Sequence, residues 1–355
     1  MILDGLLKNS KSCLKAVLQV GIIVQYTLPD LFSLCPFDFS KPSPYLQECS
    51  AESREWVARF NVLNEKHHAI LEKSQSGLLC ALTYPYAGRE GFKTTCDFIN
   101  LLFVLDHASD DMNSKDANDA CEVFYEVMAD PDFKHESNLA KITLDFRQAI
   151  IRSAKPQCFK HFLTNLKRYT KAVAQEAELR ETGEILDLMN FVPLRRENSA
   201  VRCCFAFIEY NLGIELSDAV FNNPIFQSVY FAAVDMVCWV NDLLSYNVEQ
   251  AMGHNSNNIV TVLMQEKNAS IQEAADCIGI VFEQLITRFL KDKSRLPSWG
   301  ADIDRDVALY VEGLTRWVSG SLVWSFQSSR YFGTANNIAL LTRLVTLYPK
   351  DDEQM

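Results

Sequence analysis

Backbone punctuation is scarce in this chain: 355 residues hold only 13 Gly and 11 Pro, against averages of about 7% and about 5%. That scarcity argues against a Gly-rich α/β nucleotide binder and a turn-dense all-β fold, and it favours long helices. Positive charge is also short. Lys and Arg number 34 against 45 Asp and Glu, a net charge of −11, so a nucleic acid backbone is repelled and is not expected as a partner. The 11 Cys include no C-x-x-C, and the six His form no H-x-x-x-H and no Cys/His cluster, which argues against a zinc site. Such cysteines, mostly within apolar stretches, read as buried free thiols of a reducing compartment. No apolar run reaches the roughly 18 residues that a membrane span requires.

What is present is ample core: 48% of residues are hydrophobic, enough for one large globule. Residues 1–25 read as an N-terminal arm of open role. Within it Lys8, Lys11 and Lys15 precede the apolar stretch from Ala16 to Val24, which loosely imitates a signal-peptide core. That stretch is short, contains Gln19 and lacks a small-x-small cleavage site, so the protein reads as cytoplasmic. Pro29, Pro36, Pro42 and Pro44 make the first 50 residues irregular apart from a possible early helix, and Ser50 to Ser53 reads as the cap of the helix that follows. From Phe92 to Met112 no Pro or Gly interrupts, and Phe98 to Leu105 is apolar on nearly every side. The uninterrupted length favours a helix buried all round over a buried strand. Further helices are expected at 117–129, 137–152, 157–180, 198–214, 225–250, 270–293, 304–330 and near 335–348, with Pro131, Pro156, Pro193, Pro224 and Pro297 in the gaps. The expectation is one all-α bundle over residues 26–355, with no strand alternation and no internal domain boundary.

Two polar constellations interrupt apolar helices. The first, Asp106-His107-Ala108-Ser109-Asp110-Asp111, closes the buried helix. Positions i and i+4 differ by about 40°, so Asp106 and Asp110 share a face while Asp111 points elsewhere. Two carboxylates beside the negative end of a helix dipole make sense if a hard cation bridges them; taken alone, a solvated helix end is the plainer alternative. The second is Asn241-Asp242-Leu243-Leu244-Ser245-Tyr246-Asn247-Val248-Glu249. Asn241, Ser245 and Glu249 fall at i, i+4 and i+8, a stripe about 80° wide. An amide oxygen, a hydroxyl and a carboxylate form an oxygen set suited to Mg²⁺, with room for water and substrate oxygens; alone, it could also be an exposed polar helix end. Arginines complete the picture. Leu194-Arg195-Arg196-Glu197-Asn198-Ser199 follows Pro193 and reads as the opening of a helix, and Arg330-Tyr331 ends another. Each is commonly an ordinary ion-pair Arg, but with two Mg²⁺-type stripes they describe a diphosphate trap. Bound cations would supply the positive charge that the chain lacks.

These residues resemble the class I terpene cyclases. Asp106-x-x-x-Asp110 looks like the family's aspartate-rich motif, and Asn241-Asp242-x-x-Ser245-x-x-x-Glu249 matches its second metal motif in full. Arg195 has the spacing to Asn241 that is typical of the family's diphosphate-sensing Arg, and Arg330-Tyr331 matches its C-terminal pair. Leu28-Pro29-Asp30-Leu31, Leu34-Cys35-Pro36-Phe37, Ser50 to Ser53, Cys96-Asp97-Phe98 and the stretch from Trp324 to Gly333 look like basidiomycete-type fungal sesquiterpene synthases. The resemblance runs from about Tyr26 to Leu347. One departure stands out: the family usually has an acid directly after the first Asp, and here it is His107, which at i+1 points about 100° away from Asp106.

The resemblance implies a class I terpenoid synthase bundle around an apolar cavity, monomeric or homodimeric. Its substrate would be a prenyl diphosphate, most simply farnesyl diphosphate, with three Mg²⁺ ions once diphosphate is bound. Asp106, Asp110, Asn241, Ser245 and Glu249 would hold metal, while Arg195, Arg330 and Tyr331 would hold diphosphate. Phe103 and Trp324 are candidates to line the pocket. His107 is placed behind the metal ligands, and Asn198 and Ser199 occupy positions that in the family couple the sensing Arg to helix opening. A chain-elongating prenyltransferase would need a later D-D-x-x-D motif, which Asn241 to Glu249 is not. A non-catalytic relative with a decayed His107 is the reading from a different class, and the intact second motif argues against it.

Overall fold

A computed structural model describes residues 24–110 and 112–350, with the side chains of residues 107–110 excepted. The arm up to residue 23 lies outside the described residues, as do the side chains of His107 and Asp110. In chain order the helices are α1 (Leu31–Leu34), α2 (Leu46–Ala58), α3 (Glu65–Ser74), α4 (Ser76–Thr83), α5 (Arg89–Asp110), α6 (Ser114–Ala129), α7 (Asn138–Ile150) and α8 (Pro156–Thr182). There follow α9 (Leu188–Asn198), α10 (Val201–Leu212), α11 (Asp218–Phe221), α12 (Pro224–Met252), α13 (Ile259–Lys267), α14 (Ile271–Lys293), α15 (Ala301–Gln327) and α16 (Asn336–Thr342). The chain is an all-α bundle, as expected from its few Gly and Pro.

The longest helix shows why the sequence folds as it does. Pro224 starts α12 where its missing N–H costs nothing, Asn223 caps the N–H groups of Ile225 and Phe226, and Gly253 closes the helix in the left-handed conformation at φ 76°. Phe226, Val229, Ala232, Ala233, Met236, Leu243 and Leu244 are fully enclosed, so α12 runs through the core against α14 and α15. On the far side, α5 packs against α2, α4 and α6. The tight contact of α15 with α4 depends on Gly320, where a Cβ would stand 2.6 Å from the Leu82 carbonyl oxygen.

Four expectations need correction. Leu194 to Ser199 does not open a helix but ends one: α9 spans Leu188–Asn198 with Pro193 inside it, Ser199 as its C-cap, and Arg195 and Arg196 in its last turn. The Asp187 cap and packing of Phe191 and Leu194 outweigh the hydrogen bond that Pro193 forfeits. The expected helix at 198–214 is therefore broken at Ala200, a non-Gly residue at φ 58°, a conformation that costs about 1–2 kcal/mol. Ser50 and Ser53 sit buried in the middle of α2 rather than capping it. Finally, a small sheet pairs Gln25–Thr27 (β1) antiparallel with Leu344–Thr346 (β2), Tyr26 opposite Val345. The last expected helix therefore stops at Thr342.

Candidate active site

Wall one is the end of α5. Asp106 follows Phe103 by one turn, and its side chain is 49% exposed. Arg330, just beyond α15, leans over it: the guanidinium stacks on the Phe103 ring at 4.7 Å, and its Nη2 lies 4.0 Å from Asp106 Oδ2. Its Nη1 donates to Ser74 Oγ at 2.8 Å. The same short stretch anchors Trp324, whose indole N–H donates to the Ser74 carbonyl at 2.8 Å while its ring meets Tyr331 edge-on at 5.7 Å.

Wall two is the C-terminal half of α12. Arg195 Nε donates to Asp242 Oδ1 at 2.8 Å, and Nη2 donates to Asn241 Oδ1 at 2.8 Å. Asn241 Nδ2 in turn donates to Tyr331 Oη at 2.7 Å. Asp242, nearly inaccessible, accepts from the Ile259 backbone N–H at 3.0 Å through its other oxygen. Asn258 Nδ2 donates to Glu249 Oε2 at 2.9 Å and to the Asp242 carbonyl at 2.8 Å. A continuous chain of contacts thus runs Asp242, Arg195, Asn241, Tyr331, Arg330, Asp106, joining the two walls.

The electrostatics follow from burial. Burial raises the pKa of Asp242 despite the opposing pull of Arg195, and burial works against the Arg195 charge, which Asp242 nonetheless holds protonated. Glu249 is pushed up to about 7, by burial first and then by the charge of Asp242, against hydrogen bonds from Ser245 and Asn258. Burial likewise raises Tyr331.

Arg196, next to Arg195 in the chain, faces elsewhere. It grips Asp235 through Nε at 2.6 Å and Nη2 at 2.7 Å, and it stacks on Phe231 at 4.9 Å. Asn198 bridges: its Oδ1 accepts from Arg195 Nη1 at 3.3 Å, and its Nδ2 donates to Glu176 Oε2 at 2.7 Å. The Ser199 hydroxyl accepts from the Val201 N–H at 3.3 Å, at the break between α9 and α10. Sequence reasoning gave no role to Asp242, Asn258, Glu176 or Ser74. Asp242 had a signal, a carboxylate next to Asn241 in an apolar helix; the others reach the site only through folding.

The donors fit a divalent cation. Desolvation favours the neutral form of the half-buried Glu249 carboxyl, and a nearby cation would favour its ionised form, while Asn241 Oδ1 keeps a second lone pair beyond the one used by Arg195. Among the described residues no three His, Cys, Asp or Glu side chains converge as a metal cluster, consistent with a second motif that contributes only one carboxylate. Two surface grooves, of about 470 and 380 Å³, lie along α8 and beside Glu184 to Asn190, and none of the expected site residues lines either.

The chain is similar to known proteins along most of its length. The family model described as terpene synthase family 2, C-terminal metal binding, matches residues 97–288. Bifunctional terpene synthase Agr4 of Cyclocybe aegerita is 43% identical, covering 92% of this chain and 94% of that protein. Sesquiterpene synthase 1 of Postia placenta is 34% identical over 91% and 95%. A Coprinopsis cinerea protein that bears the name linoleate 10R-lipoxygenase COP4 is 45% identical over 92% and 94%. Among solved structures, hedycaryol synthase in complex with HEPES shares the fold at a TM-score of 0.72 and 19% identity, covering 84% of this chain and 98% of that one. Both the match across more than half the sequence and the extent of these relatives lead to one conclusion: the chain belongs to terpene synthase family 2.

Proposed function

We propose that the protein is a sesquiterpene synthase that ionises farnesyl diphosphate, releases diphosphate and cyclises the resulting cation, with residues 26–355 as the catalytic domain. The observation that carries this reading is the bonded chain from Asp242 through Arg195, Asn241 and Tyr331 to Arg330 and Asp106. It presents guanidinium and phenol donors between two sets of metal-suited oxygens. The name of the Postia relative supports a fifteen-carbon substrate.

Asn241, Ser245 and Glu249 on one wall, with Asp106 and Asp110 on the other, would hold Mg²⁺, three ions in all; bound there, the metal supplies Lewis-acid stabilisation of the leaving diphosphate. Arg195, Arg330 and Tyr331 would donate hydrogen bonds to diphosphate oxygens, strongest as charge builds there during C–O cleavage. The electron pair of the broken bond leaves with diphosphate. The allylic cation left behind then cyclises in an apolar pocket for which Phe103 and Trp324 are proposed linings, where an aromatic face contributes about 0.5–2 kcal/mol. It ends by losing a proton, either directly from carbon or from a water molecule that has added to the cation. Asn198 and Ser199, at the break after α9, are proposed to pass the state of Arg195 to α10, and His107 to act behind the metal ligands. A cytoplasmic setting is proposed: the ten described cysteines are free and nine are buried, and no helix of the described residues is long and apolar enough to cross a membrane.

The test is incubation with Mg²⁺ and, separately, geranyl, farnesyl and geranylgeranyl diphosphate, followed by mass analysis of headspace and extract. The expected result is fifteen-carbon products from farnesyl diphosphate only with the metal present. Absence of turnover with every substrate would overturn the reading.

A further inference from the structure

The back of α12 carries a second polar pair with a different occupation. Counting about 100° per residue from Ser245, the middle of the metal stripe, Asn247 lies at about 200° and Gln250 at about 140°. The two straddle the opposite face. Both are buried, at 2% and 6% exposure, and both hold the C-terminal strand. Asn247 Nδ2 donates to the Thr346 carbonyl at 3.0 Å while its Oδ1 accepts from the Tyr348 N–H at 2.7 Å. One amide thereby grips Thr346 at the end of the strand and Tyr348 two residues on, as a neighbouring strand would. Gln250 Nε2 adds a bond to the Tyr348 carbonyl at 2.8 Å.

The strand so held is β2, whose other edge pairs with β1. The pair is fastened at several further points. Leu28 N–H donates to the Arg343 carbonyl at 2.7 Å and Leu347 N–H to the Val24 carbonyl at 3.0 Å. Buried Tyr26 directs its hydroxyl at the Leu243 carbonyl of α12, at 3.4 Å. On the other side, the Gln272 side-chain amide of α14 accepts from the Thr27 N–H at 2.8 Å and donates to the Thr27 carbonyl at 3.1 Å. The two ends of the described chain therefore form a strap across the back of the helix that carries the second motif.

Where the strap attaches decides what it does. Asn247 and Gln250 flank Glu249, four residues before the Gly253 cap, in the last turns of α12, where helices fray unless held. From the front, Asn258 holds the Glu249 carboxylate. Resting on the function proposed above, we infer that Asn247 and Gln250 are positioning residues for the metal-binding stripe. By tying the paired terminal strands to the back of α12, they keep Ser245 and Glu249 in phase with Asn241. Both side chains lie on the face of α12 opposite that stripe.

The experiment compares the wild-type chain with Asn247→Leu, which removes both of its bonds at similar volume, and Gln250→Met, which removes one bond to the strap and one to the Asn247 carbonyl. Three quantities are read: the Mg²⁺ concentration at half-maximal rate, kcat at saturating Mg²⁺, and hydrogen exchange of the 241–253 amides in metal-free protein. For Asn247→Leu the half-saturating Mg²⁺ should rise about tenfold, equivalent to about 1.4 kcal/mol, with kcat at saturation within about threefold. Exchange should quicken across 241–253. Gln250→Met should shift Mg²⁺ dependence about threefold in the same direction, and it decides the matter if Asn247→Leu does not fold. Unchanged half-saturating Mg²⁺ in a folded variant, with only a lower melting temperature, overturns the positioning role. Failure of the underlying reading shows differently: wild-type protein would then gain no thermal stability from Mg²⁺ with inorganic diphosphate and turn over no prenyl diphosphate.

Discussion

On α12, Asn241, Asp242 and Glu249 are each bonded to another part of the chain. At the end of α5, Asp106 stands half-exposed with the Arg330 guanidinium 4.0 Å away. The two walls contribute similar oxygens but hold them at different cost. Asp242 and Arg195 are an ion pair withdrawn from water, with side chains 2% and 14% exposed, so each partner depends on the other. Asp106, with its side chain 49% exposed, keeps much of its hydration. The protein thus pre-arranges one wall by itself and leaves the other solvated.

The largest effect tests the pre-arranged wall. Arg195→Ala would remove the donor proposed to meet the developing charge, for which a loss of about 10²–10³ in kcat is expected. It also strands the buried Asp242 carboxylate, a cost of about 3–5 kcal/mol in stability. Turnover and thermal unfolding check both; a near-normal rate would move the sensing role to Arg196, which in this structure is committed to Asp235.

Next comes the direct contrast between the walls. Asp242→Asn should lower the melting temperature markedly, because it breaks the withdrawn pair. Asp106→Asn should leave stability within about 0.5 kcal/mol, as for a solvated site, while cutting Mg²⁺-dependent turnover. Equal destabilisation by the two substitutions would erase the difference between the walls.

A smaller effect is expected from pH. The Glu249 carboxyl is raised from its usual range to about 7 in metal-free protein. Between about pH 4.5 and 7 the folded chain keeps a proton that the unfolded chain has released, so this group's contribution falls as pH rises through that window. The melting temperature of wild type relative to Glu249→Gln, measured without metal, should therefore decline from about pH 4.5 to 7. Stabilisation by Mg²⁺ should grow across the same range, since the ion competes with that proton. A flat difference would mean that Glu249 is ionised throughout.

The least effect belongs to His107. Replacing it with Asp should leave turnover equal to or above wild type, because a side chain at i+1 points about 100° from Asp106. A clear loss in steady-state rate would give His107 a role of its own on the solvated wall.

The two kinds of polar residue on α12 show what was readable. The Asn241, Ser245 and Glu249 stripe is written in local spacing, which helical periodicity converts directly into a shared face. Asn247 sits in the same stretch, but its partners are Thr346 and Tyr348 at the far end of the chain, and no local rule reports them. Ser74, Glu176 and Asn258 were missed for the same reason: their bonds to Arg330, Asn198 and Glu249 exist only once α3, α8 and the turn before α13 pack around the site. In the Leu194 to Ser199 stretch, Pro193 reads locally as a boundary, whereas packing of Phe191 and Leu194 carries α9 through it.

By itself, the sequence determined a helical chain poor in Gly and Pro, an acidic balance that needs cations before it can hold diphosphate, and two oxygen-bearing helix faces with arginines nearby. Periodicity and charge are local properties, and they survive folding unchanged. Tertiary structure alone decided that Arg195 meets Asp242, that Tyr331 links Asn241 to the Arg330 side, and that the terminal strands brace α12 from behind. Those contacts join residues far apart in the chain, and they form because burying the apolar faces of the helices leaves their few polar groups no other partners.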